Sequence, residues 1–292
     1  MSENKEKVFS NTVINWYPGH MHSARKKIID ELKNIDIIYE IVDARIPFSS
    51  KIKDIDSIIK NKKRILIMNK KDLCDFEVTK KWANYYEKQG LNVLIIDLKN
   101  ENDYKKIIDL TNEMVSDIQS KRMDKNLLKK EVMALVIGIP NVGKSTLINK
   151  LAHKKSVQVE NRAGVTKQLN YIKTDIGITI LDTPGILWPK LDDQNVALNI
   201  AITGGIRKVV LNLDEVVVHA LQILHARYPK VLSEKYNINT GDIMKMYEII
   251  AKKIGAYKNN EILYDKVSEK VYNDIVGGVI KGVTYDEWKQ TY

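Results

Sequence analysis

The apolar run Val132-Met-Ala-Leu-Val-Ile137 leads straight into Gly138-Ile-Pro-Asn-Val-Gly-Lys-Ser145, and no other stretch restricts the fold as much. Six apolar residues ending in a glycine read as a buried strand. The G-x-x-x-x-G-K-S pattern then turns successive backbone N–H groups toward one point. The amphipathic Thr146-Leu-Ile-Asn-Lys-Leu151 behind it is a helix whose N-terminal dipole faces the same point. Such a loop is built to cradle phosphates. Its nucleotide contacts are expected from Asn141, Val142, Gly143, Lys144, Ser145 and Thr146. Lys144 supplies catalytic charge at the β- and γ-phosphates, and the Ser145 hydroxyl is a ligand for Mg2+.

Further apolar strands are expected over 35–42, 64–68, 92–97, 171–175 and 177–181, with helices over 23–32, 50–60, 78–88 and 103–119. Two of these strands end in chemistry. Behind the second lies Asn69-Lys-Lys-Asp72, an N-K-x-D pattern. Asp72 there can accept from the guanine N1–H and exocyclic amine, a pairing that adenine does not offer. Asn69 holds the base edge and the Lys70 stem covers the ring. In a chain rich in Lys and Asn this tetrapeptide alone is weak, but it stands at the carboxyl end of a strand, where open α/β sheets bind ligands. The strand over 177–181 runs into Asp182-Thr-Pro-Gly185. Asp182 suits Mg2+ held through water, and the Gly185 N–H suits a sensor of the γ-phosphate. Thr166 is the well-placed hydroxyl for a second Mg2+ contact. The segment Asp97-Leu-Lys-Asn100, where a base-backing loop is expected, matches the usual small-residue pattern only weakly.

These motifs describe a GTPase, but the guanine motif precedes the phosphate loop, the reverse of the usual order. Re-joining surface termini and cutting elsewhere produces that order without disturbing a core. The expected fold is therefore α/β: a circularly permuted Ras-like P-loop GTPase domain over residues 1–212, with an N-terminal extension over 1–15. A C-terminal all-α domain is expected over 213–292, with apolar helical spacing over 216–227, 242–254 and 262–274.

Composition narrows the partners. A net charge of +10 over 292 residues favours a polyanion such as RNA, although a generally lysine-rich composition reads the same way. One cysteine, Cys74, leaves no disulfide framework and no cysteine-based zinc module. With neither an apolar leader nor a run of about 18 apolar residues, a cytoplasmic protein is expected, with no membrane and no DNA partner.

Trp16-Tyr-Pro-Gly-His-Met21, Val42-Asp-Ala-Arg-Ile-Pro47, Asn69-Lys-Lys-Asp72, the phosphate loop, Asn161-Arg-Ala-Gly-Val-Thr-Lys167 and Asp182-Thr-Pro-Gly-Ile-Leu-Trp-Pro189 together resemble the ribosome biogenesis GTPase A family, in the YlqF/YawG group of circularly permuted GTPases. The likeness spans essentially the whole chain, with Ala163 where the family usually has Pro. It implies a GTPase that binds the late precursor of the large ribosomal subunit and its rRNA, promotes maturation, and is a monomer off the ribosome. It implies that His20 orients or deprotonates the attacking water; a loop histidine held near nucleotide or RNA is the plainer alternative. Ile186 stands where Ras-type proteins carry a water-orienting Gln, so hydrolysis alone should be slow and stimulated by the ribosomal partner. Asn141 resembles the phosphate-loop Asn of K+-activated GTPases, which implies K+ as a cofactor beside Mg2+ that Asn141 helps to bind; the family resemblance implies RNA docking through Lys245, Lys252, Lys253, Lys258 and Lys281. Two other readings stay open: an RNA-binding module with negligible hydrolysis, and a permuted GTPase of the small subunit, against which the lone Cys74 argues.

Overall fold

The computed structural model describes residues 26, 28–53, 55–59, 62–152, 170–183 and 193–289. Six strands form one sheet: β1 (Ile37–Asp43), β2 (Lys63–Asn69), β3 (Asn92–Ile95), β4 (Val132–Ile137), β5 (Asn170–Lys173) and β6 (Ile178–Asp182). Their spatial order is β3-β2-β1-β4-β6-β5, and only the β5–β6 pair is antiparallel. All seven residues of β1 are buried, as expected of a parallel strand covered on both faces. From β1 the chain winds outward through β2 and β3; from β4 it winds the other way through β6 and β5. The β1–β4 seam is thus the point where strand order reverses, and ligands bind beyond the carboxyl ends of strands at such a point.

Helices α1 (Ile55–Ile59), α2 (Phe76–Lys88), α3 (Glu101–Met123) and α4 (Lys144–Leu151) follow β1, β2, β3 and β4. Three depart from the sequence expectation for local reasons. The helix expected from residue 50 begins only at Ile55, because the Ser50 hydroxyl accepts from the Asp43 N–H and donates to the Ile46 carbonyl, closing a turn instead. Asp75 caps α2 by accepting from the N–H groups of Glu77 and Val78, so the helix begins at Phe76, two residues before its expected start. Asn100 caps α3 in the same way. At its far end Lys121 and Arg122 suit the negative end of the dipole, so the helix runs on to Met123 through what reads as a polar connection. The third strand, expected to reach residue 97, stops at Ile95 because the next residues turn toward the guanine motif.

The C-terminal part holds α5 (Gln194–Ile202), absent from the sequence reading, then α6 (Leu213–Arg227), α7 (Pro229–Tyr236), α8 (Ile243–Ile254) and α9 (Tyr264–Val276). A hairpin of two-residue strands, β7 (Tyr257–Lys258) and β8 (Glu261–Ile262), interrupts the expected all-helical character. Asn259 and Asn260 make its turn with φ of 50° and 64°, conformations Asn tolerates. Helix α5 packs on α6 and α9, so one continuous apolar core joins sheet and helices. Among the described residues no helix is long and apolar enough to cross a membrane.

Candidate nucleotide site

The carboxyl ends of β1, β2, β4 and β6 converge, and the first contacts fix the base side. Asn69, 5% exposed, donates from Nδ2 to the Val142 carbonyl at 2.7 Å and accepts from the Leu98 N–H at 3.1 Å. One amide thereby ties the guanine motif to the phosphate loop on one side and to the segment 97–100 on the other. The Lys71 N–H bonds to the Ile96 carbonyl and reinforces that second link. The weakly matching segment 97–100 therefore stands directly behind the guanine motif. Gly143 is required at the junction: a Cβ there would lie 2.2 Å from Asn69 Nδ2, and its φ of 113° disfavours any side chain.

Lys70 adopts φ of 67°, which aims its side chain back across the site. Its ammonium donates to the Asn141 carbonyl at 2.7 Å and pairs with Asp43 Oδ2 at 2.9 Å. Asp43, at the end of β1, is also held by Arg45 through Nε (2.9 Å) and Nη2 (2.8 Å). Burial opposes its ionisation, yet Arg45 and Lys70 together hold its carboxyl well below the usual range. Burial likewise works against the Lys70 ammonium, which Asp43 supports. Asp72 remains exposed at the edge of this group. Asn141 has φ of 64° and donates from Nδ2 to the Thr203 carbonyl at the end of α5 (2.8 Å).

The phosphate side differs. Lys144 is buried in the first turn of α4 and donates to the Ile139 carbonyl of its own loop at 2.9 Å. Burial pushes its ammonium down to about 8, with Asp182 opposing. Asp182 ends β6 in register with Val136. Burial pushes its carboxyl up to about 6, with Lys144 opposing. Both of its oxygens are buried without a hydrogen-bond partner among the described residues. Buried acceptors are normally satisfied, and two hard oxygens left open suit Mg2+. Ser145 and Thr146 follow in the same half-buried helical turn.

Of the residues expected at the site, the structure thus brings together Asn69, Lys70, Asn141, Val142, Gly143 and Lys144, with Asp72, Ser145, Thr146 and Asp182 on the adjoining strand and helix ends. His20, Thr166 and Gly185, and with them Ala163 and Ile186, lie outside the described residues. The sequence reading assigned no role to Asp43 and Arg45. The signal was present: two opposite charges, two residues apart, at the end of a strand whose seven residues are all buried. His219 and His225 are on α6, and no group of acids, His or Cys among the described residues is arranged to hold a metal ion by itself. His219 bonds to Asn199 Oδ1 at 3.0 Å, and burial pushes it down to about 4.

The sequence model of the family described as 50S ribosome-binding GTPase matches residues 133–253. It begins at the phosphate-loop strand and leaves the guanine motif upstream, as a permuted chain requires. Ribosome biogenesis GTPase A of Priestia megaterium (strain DSM 319 / IMG 1521) is 41% identical over 278 residues, 94% of this chain and 96% of that protein. Probable ribosome biogenesis GTPase A of Mycoplasma genitalium (strain ATCC 33530 / DSM 19775 / NCTC 10195 / G37) is 32% identical over 284 residues, 95% of this chain and 98% of that protein. The crystal structure of GNP-bound YlqF from T. maritima has the same fold, with a TM-score of 0.63 at 23% identity over 91% of this chain and 98% of that one. With 41% and 32% identity to such relatives over nearly the full length, and with an N-K-x-D motif bonded to a phosphate loop that follows it in the chain, this protein belongs to the ribosome biogenesis GTPase A family of circularly permuted GTPases.

Proposed function

We propose that the chain is a GTP-driven switch that binds the precursor of the large ribosomal subunit and leaves it after hydrolysis. As a member of a GTPase family it is an enzyme converting GTP to GDP and phosphate. The observation that carries the site assignment is Asn69, whose one side chain bonds both Val142 and Leu98 and so sets base and phosphate subsites at a fixed separation. Asp72 reads the guanine edge, and the N–H groups of residues 141–146 hold the phosphates at the start of α4. Lys144 exchanges its bond to Ile139 for a phosphate oxygen and supplies the positive charge there. Ser145, Thr166 and Asp182 would hold Mg2+, which when bound neutralises charge on the β- and γ-phosphates.

His20 orients the attacking water, since Ile186 has no polar group with which to do so. The Gly185 N–H and Thr166 change place when the γ-phosphate is lost, and this biases the ribosome-bound state. Asn141 already commits its Nδ2 to Thr203, leaving Oδ1 as the ligand atom for K+. Lys245, Lys252, Lys253, Lys258 and Lys281 are all exposed and meet rRNA phosphates, contacts that position without reading sequence. Lys252 and Lys253 first give up bonds to Glu248 and to the Lys235 carbonyl.

The test is GTP turnover in K+ and in Na+, with and without purified large subunits, for wild type and His20→Ala. Stimulation of wild type by orders of magnitude in K+, lost in His20→Ala with GTP binding intact, is the expected result. Equal stimulation of both proteins makes His20 structural. Binding of subunits without any stimulation favours the second reading that Ile186 suggests, an RNA-binding module with negligible hydrolysis.

A further inference from the structure

The buried group behind the guanine motif extends well beyond the nucleotide. Arg45 is 1% exposed and uses every face of its guanidinium. Nε and Nη2 grip both oxygens of Asp43, while Nη1 donates at 2.8 Å to the Ile275 carbonyl in the last turn of α9, some 230 residues away in sequence. That carbonyl is at the negative end of a helix, where the last carbonyls have no partner within the helix. The backbone of the same arginine is held by the tail that follows α9: the Tyr285 N–H donates to the Arg45 carbonyl at 2.7 Å. The tail continues this attachment on both sides. The Val283 N–H bonds to the Leu73 carbonyl, directly after Asp72, and Asp286 accepts from the N–H groups of Phe48 (2.7 Å) and Ser49 (2.8 Å).

A chain of contacts therefore runs from Ile275 through Arg45 and Asp43 to Lys70, and from Lys70 to the Asn141 carbonyl of the phosphate loop. Lys70 is held at a positive φ with its ammonium turned inward onto the Asp43 carboxylate and the Asn141 carbonyl. Asp43 with Lys70 alone would keep free torsions; the planar fork of Arg45 removes them. The same bidentate pair is shared with the lysine of the base-reading loop.

We propose that Arg45 is a positioning residue for guanine recognition, through which the seating of α9 and the C-terminal tail sets affinity for the base. The proposal rests on the guanine assignment of Asn69–Asp72 given above. It implies that guanine binding and attachment of the tail strengthen one another, because coupling between two sites is reciprocal.

The experiment uses the full chain and two diphosphates, GDP and IDP, which differ only in the exocyclic amine that Asp72 would read. Arg45→Lys keeps the charge, but one ammonium cannot grip both Asp43 oxygens and reach Ile275. Its expected effect is a loss of GDP affinity of roughly tenfold, with IDP weakened only about two- to threefold, so that base preference shrinks. In wild type, GDP should slow hydrogen exchange at the Val283 and Tyr285 amides more than IDP does, and this measurement needs no variant to fold. Equal weakening of GDP and IDP in Arg45→Lys, or tail amides that exchange at the same rate with GDP as with IDP, overturns the proposal. Failure of wild type to prefer GDP over IDP would instead overturn the guanine assignment itself.

Discussion

At the end of the site proposed for guanine, buried Asp43 and Arg45 and half-buried Lys70 hold one another through ion pairs and hydrogen bonds. At the phosphate end, Asp182 has two oxygens without a hydrogen-bond partner among the described residues, and Lys144 is turned onto a carbonyl of its own loop. The two ends bury charge by opposite means. Completing the pairs makes this end of the proposed site part of the fold. Leaving the carboxylate open costs stability; under the proposed function it leaves hard oxygen for a cation, and Lys144 exchanges its carbonyl for phosphate. Unsatisfied groups are retained at functional positions against their cost in stability.

The contrast can be broken first at Lys144. Lys144→Ala should lower GTP turnover by roughly 10³-fold or more, because it removes positive charge from the phosphates. Its chemical denaturation midpoint should stay near that of wild type, since the lost ammonium was itself opposed by burial. Equal losses of stability and turnover would show that both ends are structural. The next largest effect belongs to the opposite end. Arg45→Ala leaves Asp43 and Lys70 buried with one partner fewer and should destabilise the ligand-free chain by about 3–5 kcal/mol, read from urea unfolding. A loss below about 1 kcal/mol would contradict the description of this end as part of the fold. The smallest effect has the opposite sign. Asp182→Asn replaces an open carboxylate with a neutral isostere and should stabilise the ligand-free chain by about 1–3 kcal/mol, while raising the Mg2+ concentration needed for tight GTP binding. Destabilisation by this substitution would mean that Asp182 has a structural role at the end of β6.

Much of this was legible in the order of residues. Each strand that carries chemistry is a short apolar run that ends in its motif, so Asn69-Lys-Lys-Asp72, Gly138–Ser145 and Asp182 could be placed on strand ends before any coordinates, and their inverted order announced the permutation. Helix ends were less legible. Asp75 and Asn100 moved two starts through side-chain caps, and Ser50 delayed a third by closing a turn. Those choices depend on single hydrogen bonds, which hydrophobic spacing does not encode. Helix α5 escaped because six of its last residues, Ala197 to Ile202, are buried in succession, and a helix covered on all sides loses the periodicity that marks an amphipathic one.

What the sequence by itself offered is the inventory: which residues are candidates to bind phosphate, read guanine or hold Mg2+, and that the guanine motif, the phosphate loop and Asp182 each stand where a strand ends. Backbone geometry is local, so strand, loop and helix follow from neighbours in the chain. Only the tertiary structure decided which groups would satisfy one another. Asn69 reaches Val142 across 73 positions, Lys70 reaches Asn141 across 71, and Arg45 reaches Ile275 across 230. Among the described residues packing also gives Asp43 partners and Asp182 none, although both are aspartates at the ends of buried strands. The difference lies in what the neighbouring strands and the far end of the chain bring within about 3 Å, and a pairing over such separations is set by the sheet order and by helix packing.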